Sequence, residues 1–267
     1  MRLKSLALTT GLAVALLATS GVQAQRRGFG EDAPPAGPSP VNADGRVILD
    51  GLRPGTTGVW TPMFGIFDPV APLETVPFQP WSAKLYDDRQ AHELEPHARC
   101  KASGASRQFL TPYGVEIVEI PELERLFIFD IGGPHTFRTV YMDGRSHPAD
   151  LQPTNYGHSV GWWDGDTLVI DTVGYNEDFW FGRRGLPHTE ALHTVERLTR
   201  IDERQTEYVL EITDPNVYTD TFTGGFNLRW NEGTELFEYV CQQANYAHEL
   251  MVGTEQDSVD RSSSIVP

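Results

Sequence analysis

The chain has 267 residues, 22% of them charged, and a formal net charge of −16 at neutral pH. Such acidity argues against nucleic acid or an anionic membrane as a partner, because both repel a negative surface. After the first residues no apolar run is long enough to cross a bilayer as a helix, and the remaining roughly 200 structured residues make one domain's worth.

Arg2 and Lys4 precede an apolar run, Leu6 to Ser20, and Val22-Gln23-Ala24 offers a small-residue cleavage site. Residues 1–24 therefore read as a secretory signal peptide, and the expected location is periplasmic or secreted. An uncleaved anchor is the competing reading. No cysteine follows the run, which speaks against a lipid anchor. Residues 25–56, rich in proline, glycine and small polar residues, read as a flexible leader. A single β-rich domain is expected over 57–252 and a flexible polar tail over 253–267. The two cysteines, Cys100 and Cys241, both fall in the exported part. An even count in an oxidising compartment points to a disulfide. A bridge closing so long a loop would contribute on the order of 4 kcal/mol in the chain-entropy model. Two buried thiols are the alternative.

One helix is predicted near the start of the domain. Pro80-Trp81-Ser82 opens it, Trp81, Leu85 and Leu94 lie near helical spacing, and Pro96 closes it. Short strands follow: Gly114–Ile120, Arg125–Ile131, Phe137–Asp143, His158–Trp163 and Asp166–Val173. Asp164-Gly165 marks a tight hairpin between the last two, because Asp-Gly tolerates the positive φ of a primed turn. Leu192–Ile201, Thr206–Asp214, Thr221–Trp230 and Thr234–Cys241 complete a series of about nine. Short connections without intervening helices predict an antiparallel meander. Such a sheet removes its edges by closing, so a closed or nearly closed barrel of the calycin or lipocalin kind is expected, with a β-sandwich as the alternative.

Strand alternation points to charges on apolar faces. Asp130 shares a face with Leu126 and Ile128, Arg138 with Val140 and Met142, and Asp171 with Val169 and Val173. Isolated buried charge is costly, so these groups either pair or form a polar site inside the barrel. The histidines are the other candidates. His188, Glu190 and His193 lie in H-T-E-A-L-H. Histidine titrates near neutral pH, and a neighbouring carboxylate such as Glu190 or Glu196 can orient it, which suits acid–base work. The same three residues are a weaker candidate for a metal site, since their spacing is not that of H-E-x-x-H. The bland alternative is that these histidines brace a loop. His158 sits on a strand with Val160 and Trp162, where a core histidine is the ordinary explanation. His135, after Gly132-Gly133-Pro134, is better placed for access than for packing. Trp162 could stack on a sugar or aromatic ligand, and Arg145 could stabilise an anion. G-H-S-V-G around Ser159 is a near miss to a nucleophile elbow, but it lies inside a predicted strand and lacks the strand–turn–helix context. Dinucleotide and phosphate-loop patterns are missing, so no organic cofactor is expected.

The segments MDGRSHPADLQPTNYGHSVGWWDGDTLVIDTVGYN and GLPHTEALHTVERLTR resemble a large family of exported bacterial proteins. Its members share patterns like D-G-R-x-H-P, G-H-S-x-G-x-W-x-G-D-T-L-V-V-D-T and P-H-[ST]-E-x-L-H-x-x-E-R. The resemblance runs from Pro80-Trp81 through Cys241. The positions it shares are Arg145, His147, His158, Trp163, Asp166, Asp171, His188, Glu190, His193, Glu196 and Arg197. Trp162 departs from it, standing where the family usually carries a charge. The resemblance implies export and brings no reaction with it. From the residues, two functions are expected. One is an exported enzyme without organic cofactor that performs acid–base elimination, hydration or isomerisation on a small, partly apolar or glycosidic substrate in a barrel pocket. His188 or His193 would be its acid or base, Glu190 the orienter, and Arg138 or Arg145 the anion stabiliser. The other is a periplasmic small-molecule carrier with structural histidines.

Overall fold

The structure is a computed structural model that describes residues 36–51, 56–63, 70–93, 95–104, 106–130 and 136–239. The readings on the signal peptide, the 253–267 tail, His135 and Cys241 lie outside the described residues.

Nine strands close into a barrel in which each pairs with its neighbours in sequence and the last returns to the first. They are β1 (Gly58–Pro62), β2 (Val115–Ile120), β3 (Arg125–Asp130), β4 (Phe137–Tyr141), β5 (His158–Asp164), β6 (Thr167–Val173), β7 (His193–Arg200), β8 (Gln205–Thr213) and β9 (Phe222–Glu232). The predicted helix is present as α1, Pro80–His92, with proline in its first turn, where a missing N–H costs nothing.

Two strand expectations shift. β1 replaces the predicted last strand: Gly58–Pro62 pairs with both β2 and β9 and so closes the barrel. The described part of Thr234–Cys241, residues 234–239, forms no strand. A short Gly-Val-Trp-Thr-Pro segment carries too little alternation to read as a strand, yet a barrel needs it to satisfy two open edges. The meander is also not wholly antiparallel. β4 pairs with β5 in parallel, with Val140 opposite Ser159 and Tyr141 opposite Val160. A parallel pair needs a crossover, and residues Met142–Gly157 supply it.

The expected flexible leader over 25–56 is built into the fold near its end. Val47, Ile48 and Leu49 are buried, and the Leu49 carbonyl accepts a 2.8 Å bond from the Trp60 indole. Three consecutive aliphatic residues bury enough apolar surface to outweigh the proline-rich composition around them.

The interior is filled by side chains. Ile117, Leu126, Ile128, Val140, Leu168, Ile170, Leu198, Leu210 and Ile212 alternate inward along their strands. Among them lies a polar cluster. The Arg138 guanidinium donates to both oxygens of Glu196 at 2.6 and 3.1 Å, and the Tyr208 hydroxyl donates to the same carboxylate at 2.8 Å. Both members of the ion pair are essentially inaccessible to solvent. The β5–β6 hairpin turns at Gly165-Asp166, one residue later than the sequence suggests, because Asp164 still pairs with Thr167. Gly165 has φ +60 while Asp166 is not in the left-handed region, which is the glycine-first pattern of a type II′ turn.

Candidate active site

The strand registers place two histidines beside one carboxylate on the outer face of the barrel, and a loop brings a third. His158 on β5 lies opposite Val173 on β6, and Val160 lies opposite Asp171. Asp171 in turn lies opposite Val195 on β7, and Thr172 opposite Thr194. Continuing that register by one residue sets His193 beside Val173. His158 and His193 therefore straddle Val173 across two strand spacings, about 10 Å between backbones, with Asp171 in the adjacent row between two valines. The third histidine, His147, comes down from the β4–β5 crossover.

The hydrogen bonds are specific about protons. His147 Nε2 lies 2.9 Å from Asp171 Oδ1, and His193 Nε2 lies 3.1 Å from the same oxygen. A carboxylate only accepts, so both nitrogens carry the donated proton. His147 Nδ1 lies 2.8 Å from His158 Nδ1. In a neutral His147, Nδ1 then holds the lone pair and accepts from His158 Nδ1–H. That leaves the lone pair of His158 on Nε2. The ring of His158 is stacked on Tyr141 at 5.0 Å and 19°, and the Arg145 guanidinium lies over Tyr141 at 4.0 Å while it pairs with Asp143.

The two flanking histidines are pushed apart electrostatically. The hydrogen bond to Asp171 raises the pKa of His193, against the opposing effect of burial. Burial lowers that of His158, helped by the positive potential of His147 and Arg145. The Asp171 carboxyl is held below its ordinary range, chiefly by the His193 bond and then by His147. Side-chain exposure is 41% for His193, 25% for Asp171 and 22% for His147, so the group is reachable.

The other residues singled out from sequence lie elsewhere. His188 is a core residue: it is fully buried, its Nε2 meets the Phe179 carbonyl at 2.9 Å, and its ring packs on Phe179 at 4.2 Å. Burial lowers its pKa to about 4, so it stays neutral. Glu190 is exposed and has no place in the cluster. Hence His188, Glu190 and His193 do not converge as metal ligands, and among the described residues no group of three or more His, Cys, Asp or Glu is arranged to hold an ion. Arg138 and Asp130 do point inward, as alternation predicts, but Asp171 points outward. The expected single interior site therefore does not form. Arg138 is spent on Glu196. Asp130 is buried and accepts from Ser103 Oγ at 2.8 Å and Tyr156 OH at 3.4 Å. Trp162 is 46% exposed on the outer face, two residues further along β5 than Val160.

His147 is the member that reasoning from strands overlooks. It lies in a loop, where no periodicity marks it, and only the D-G-R-x-H-P pattern singles it out. The three motif-bearing segments, around His147, from His158 to Asp171, and at His193, converge on the Asp171 carboxylate. No family model matches the chain, and neither a curated protein nor a solved structure matches it.

Proposed function

We propose that this protein is an exported enzyme that moves protons on a small, partly apolar or glycosidic substrate bound against the outer face of the barrel. The reaction class is elimination, hydration or isomerisation. One observation carries the reading: a single half-buried carboxylate, Asp171, bonded to two imidazoles, one of which is bonded to a third. Two titratable groups whose environments drive their pKa values in opposite directions are the pattern of an acid–base pair. His158 is the base and His193 the acid.

The proton path is explicit. A substrate proton moves to His158 Nε2, and the Nδ1 proton of His158 passes to His147 Nδ1. The imidazolium formed on His147 is stabilised by its Nε2–H bond to Asp171. His193, whose bond to Asp171 favours its protonated form, gives its Nδ1 proton to the departing or developing anion and keeps its Nε2–H bond to Asp171. Solvent resets both rings, which are partly exposed. Val160, Val173 and Val195 give the substrate an apolar floor. Side-chain filling of the barrel, with the Arg138 guanidinium paired to Glu196, weighs against the carrier alternative with a ligand inside.

The test is turnover, in deuterated water, of a panel of plant-derived glycosides, phenolics and terpenoids. Wild type should incorporate solvent deuterium at a reacting carbon. His158→Ala and His193→Ala should each slow the reaction on the order of 100-fold or more, as loss of a general base or acid does. Equal turnover by wild type and both variants would overturn the proposal.

A further inference from the structure

The crossover segment Asp143–Asp150 is exposed at every position except His147, which is half-buried. The chain is fixed just before it, where the Met142 amide donates to the Glu124 carbonyl, and after it, where Thr154 bonds to Gly174 and Asn176. Leu151 packs beside Gly174 just after the segment, and within it Arg145 and His147 reach the barrel. Arg145 lies over Tyr141, and His147 reaches His158 and Asp171. The segment is thus a strap across the acid–base centre, pinned there by His147.

The Nδ1-to-Nδ1 bond between His147 and His158 needs one lone pair. With both rings neutral, His158 donates. With one proton added to the pair, a donor and an acceptor still face each other, and Asp171 favours the added charge. With two protons added, N–H faces N–H at 2.8 Å and two like charges meet. That state cannot keep the bond. The charged and titratable groups around the pair are Asp171 on β6, His193 on β7, Tyr141 on β4, and Asp143 and Arg145 on the strap. Glu211 on β8 faces His193, and Arg125 on β3 faces Tyr141. Burial first, then the positive potential of His147 and Arg145, lower the His158 value, so the second proton enters on the acid side of the ordinary histidine value of about 6.5.

We propose that Asp143–Asp150 is a proton-operated gate, closed over Asp171 while His147 and His158 share at most one proton and open when each carries its own. As regulation of catalysis this rests on the acid–base reading above; as a motion it stands without it. Opening would withdraw the relay histidine and uncover the carboxylate together.

The experiment is ¹⁵N relaxation on the full chain from pH 7.5 to pH 4.5, read at Gly144, Arg145 and Ser146. Order parameters should fall from near 0.85 to below about 0.6 in a single step below pH 6.5, while amides of β7 and β8 stay rigid. His158→Gln cannot accept a second charge, and its amide can still bond His147, so its strap should remain ordered to pH 4.5. His147→Gln gives the same test should that variant fold poorly. Wild-type order parameters unchanged across the range, or a glutamine variant opening at the wild-type pH, would overturn the gate. Turnover is not read, so failure of the enzymatic reading leaves this result standing.

Discussion

Asp171 organises its neighbours because it offers one half-buried carboxylate to two imidazole donors. The consequence at residue level is an ordered titration. His158 should lose its proton below, and His193 above, the ordinary histidine value, and imidazole NMR should resolve the two. Asp171→Asn removes the acceptor charge and should bring the His193 midpoint down toward that of an ordinary histidine, a shift of unchanged sign for His158 being the control. The stability linked to His193 follows in sign. A raised folded-state value means the stabilisation is fully present below the unfolded value and disappears as pH rises through the folded one. His188 serves as the contrast. It should show no titration between pH 5 and 8, because burial takes its value down to about 4.

Two features at the level of strands set that geometry. The first is the inward pair of β4 and β7. Glu196→Gln would leave the Arg138 charge buried without its counter-ion, at a cost of about 3–5 kcal/mol in urea unfolding, whereas replacing both by apolar residues of similar volume should cost far less. The second is the entry to β5. Gly157 has φ +62, and a Cβ there would stand 2.5 Å from the Val173 carbonyl oxygen. Gly157→Ala should therefore destabilise by roughly 1–3 kcal/mol and displace His158 from Tyr141 and His147. The check is chemical denaturation together with the His158 titration, which should move toward the ordinary value. Outside the barrel core, Asp143 and Arg145 illustrate a contrast: their pair is exposed and shapes the strap without adding appreciably to stability.

Closure governs the molecule as a whole. β1 is short, but it joins β2 to β9, and its Trp60 is fully buried against Trp230 at 5.2 Å. Trp60→Ala should cost about 3–5 kcal/mol and should be felt at both seams, so a denaturation curve followed by fluorescence and by circular dichroism should shift as one. The net charge of −16 acts on the same scale. Self-repulsion of an acidic surface is screened by salt, so the melting temperature should rise between about 10 and 300 mM sodium chloride.

Composition and alternation pointed to a β-rich barrel with one helix, with a sandwich as the alternative, and the structure shows the closed barrel. Period-two patterning and turn residues are local properties, and closure follows from the cost of open edges. They put Asp130, Arg138 and Asp171 alike on inward faces, which holds for the first two, and they marked His188 and Glu190 beside His158 and His193. The tertiary structure decided which side of the wall each charge occupies relative to the others. It also decided that β1 is the closing strand, that β4 and β5 run in parallel, and that His188 belongs to the core. Its largest contribution is His147. That residue joins the site only because the crossover demanded by the parallel pair passes over β5 and β6, and no spacing along the chain encodes a contact made by a loop folding back in space.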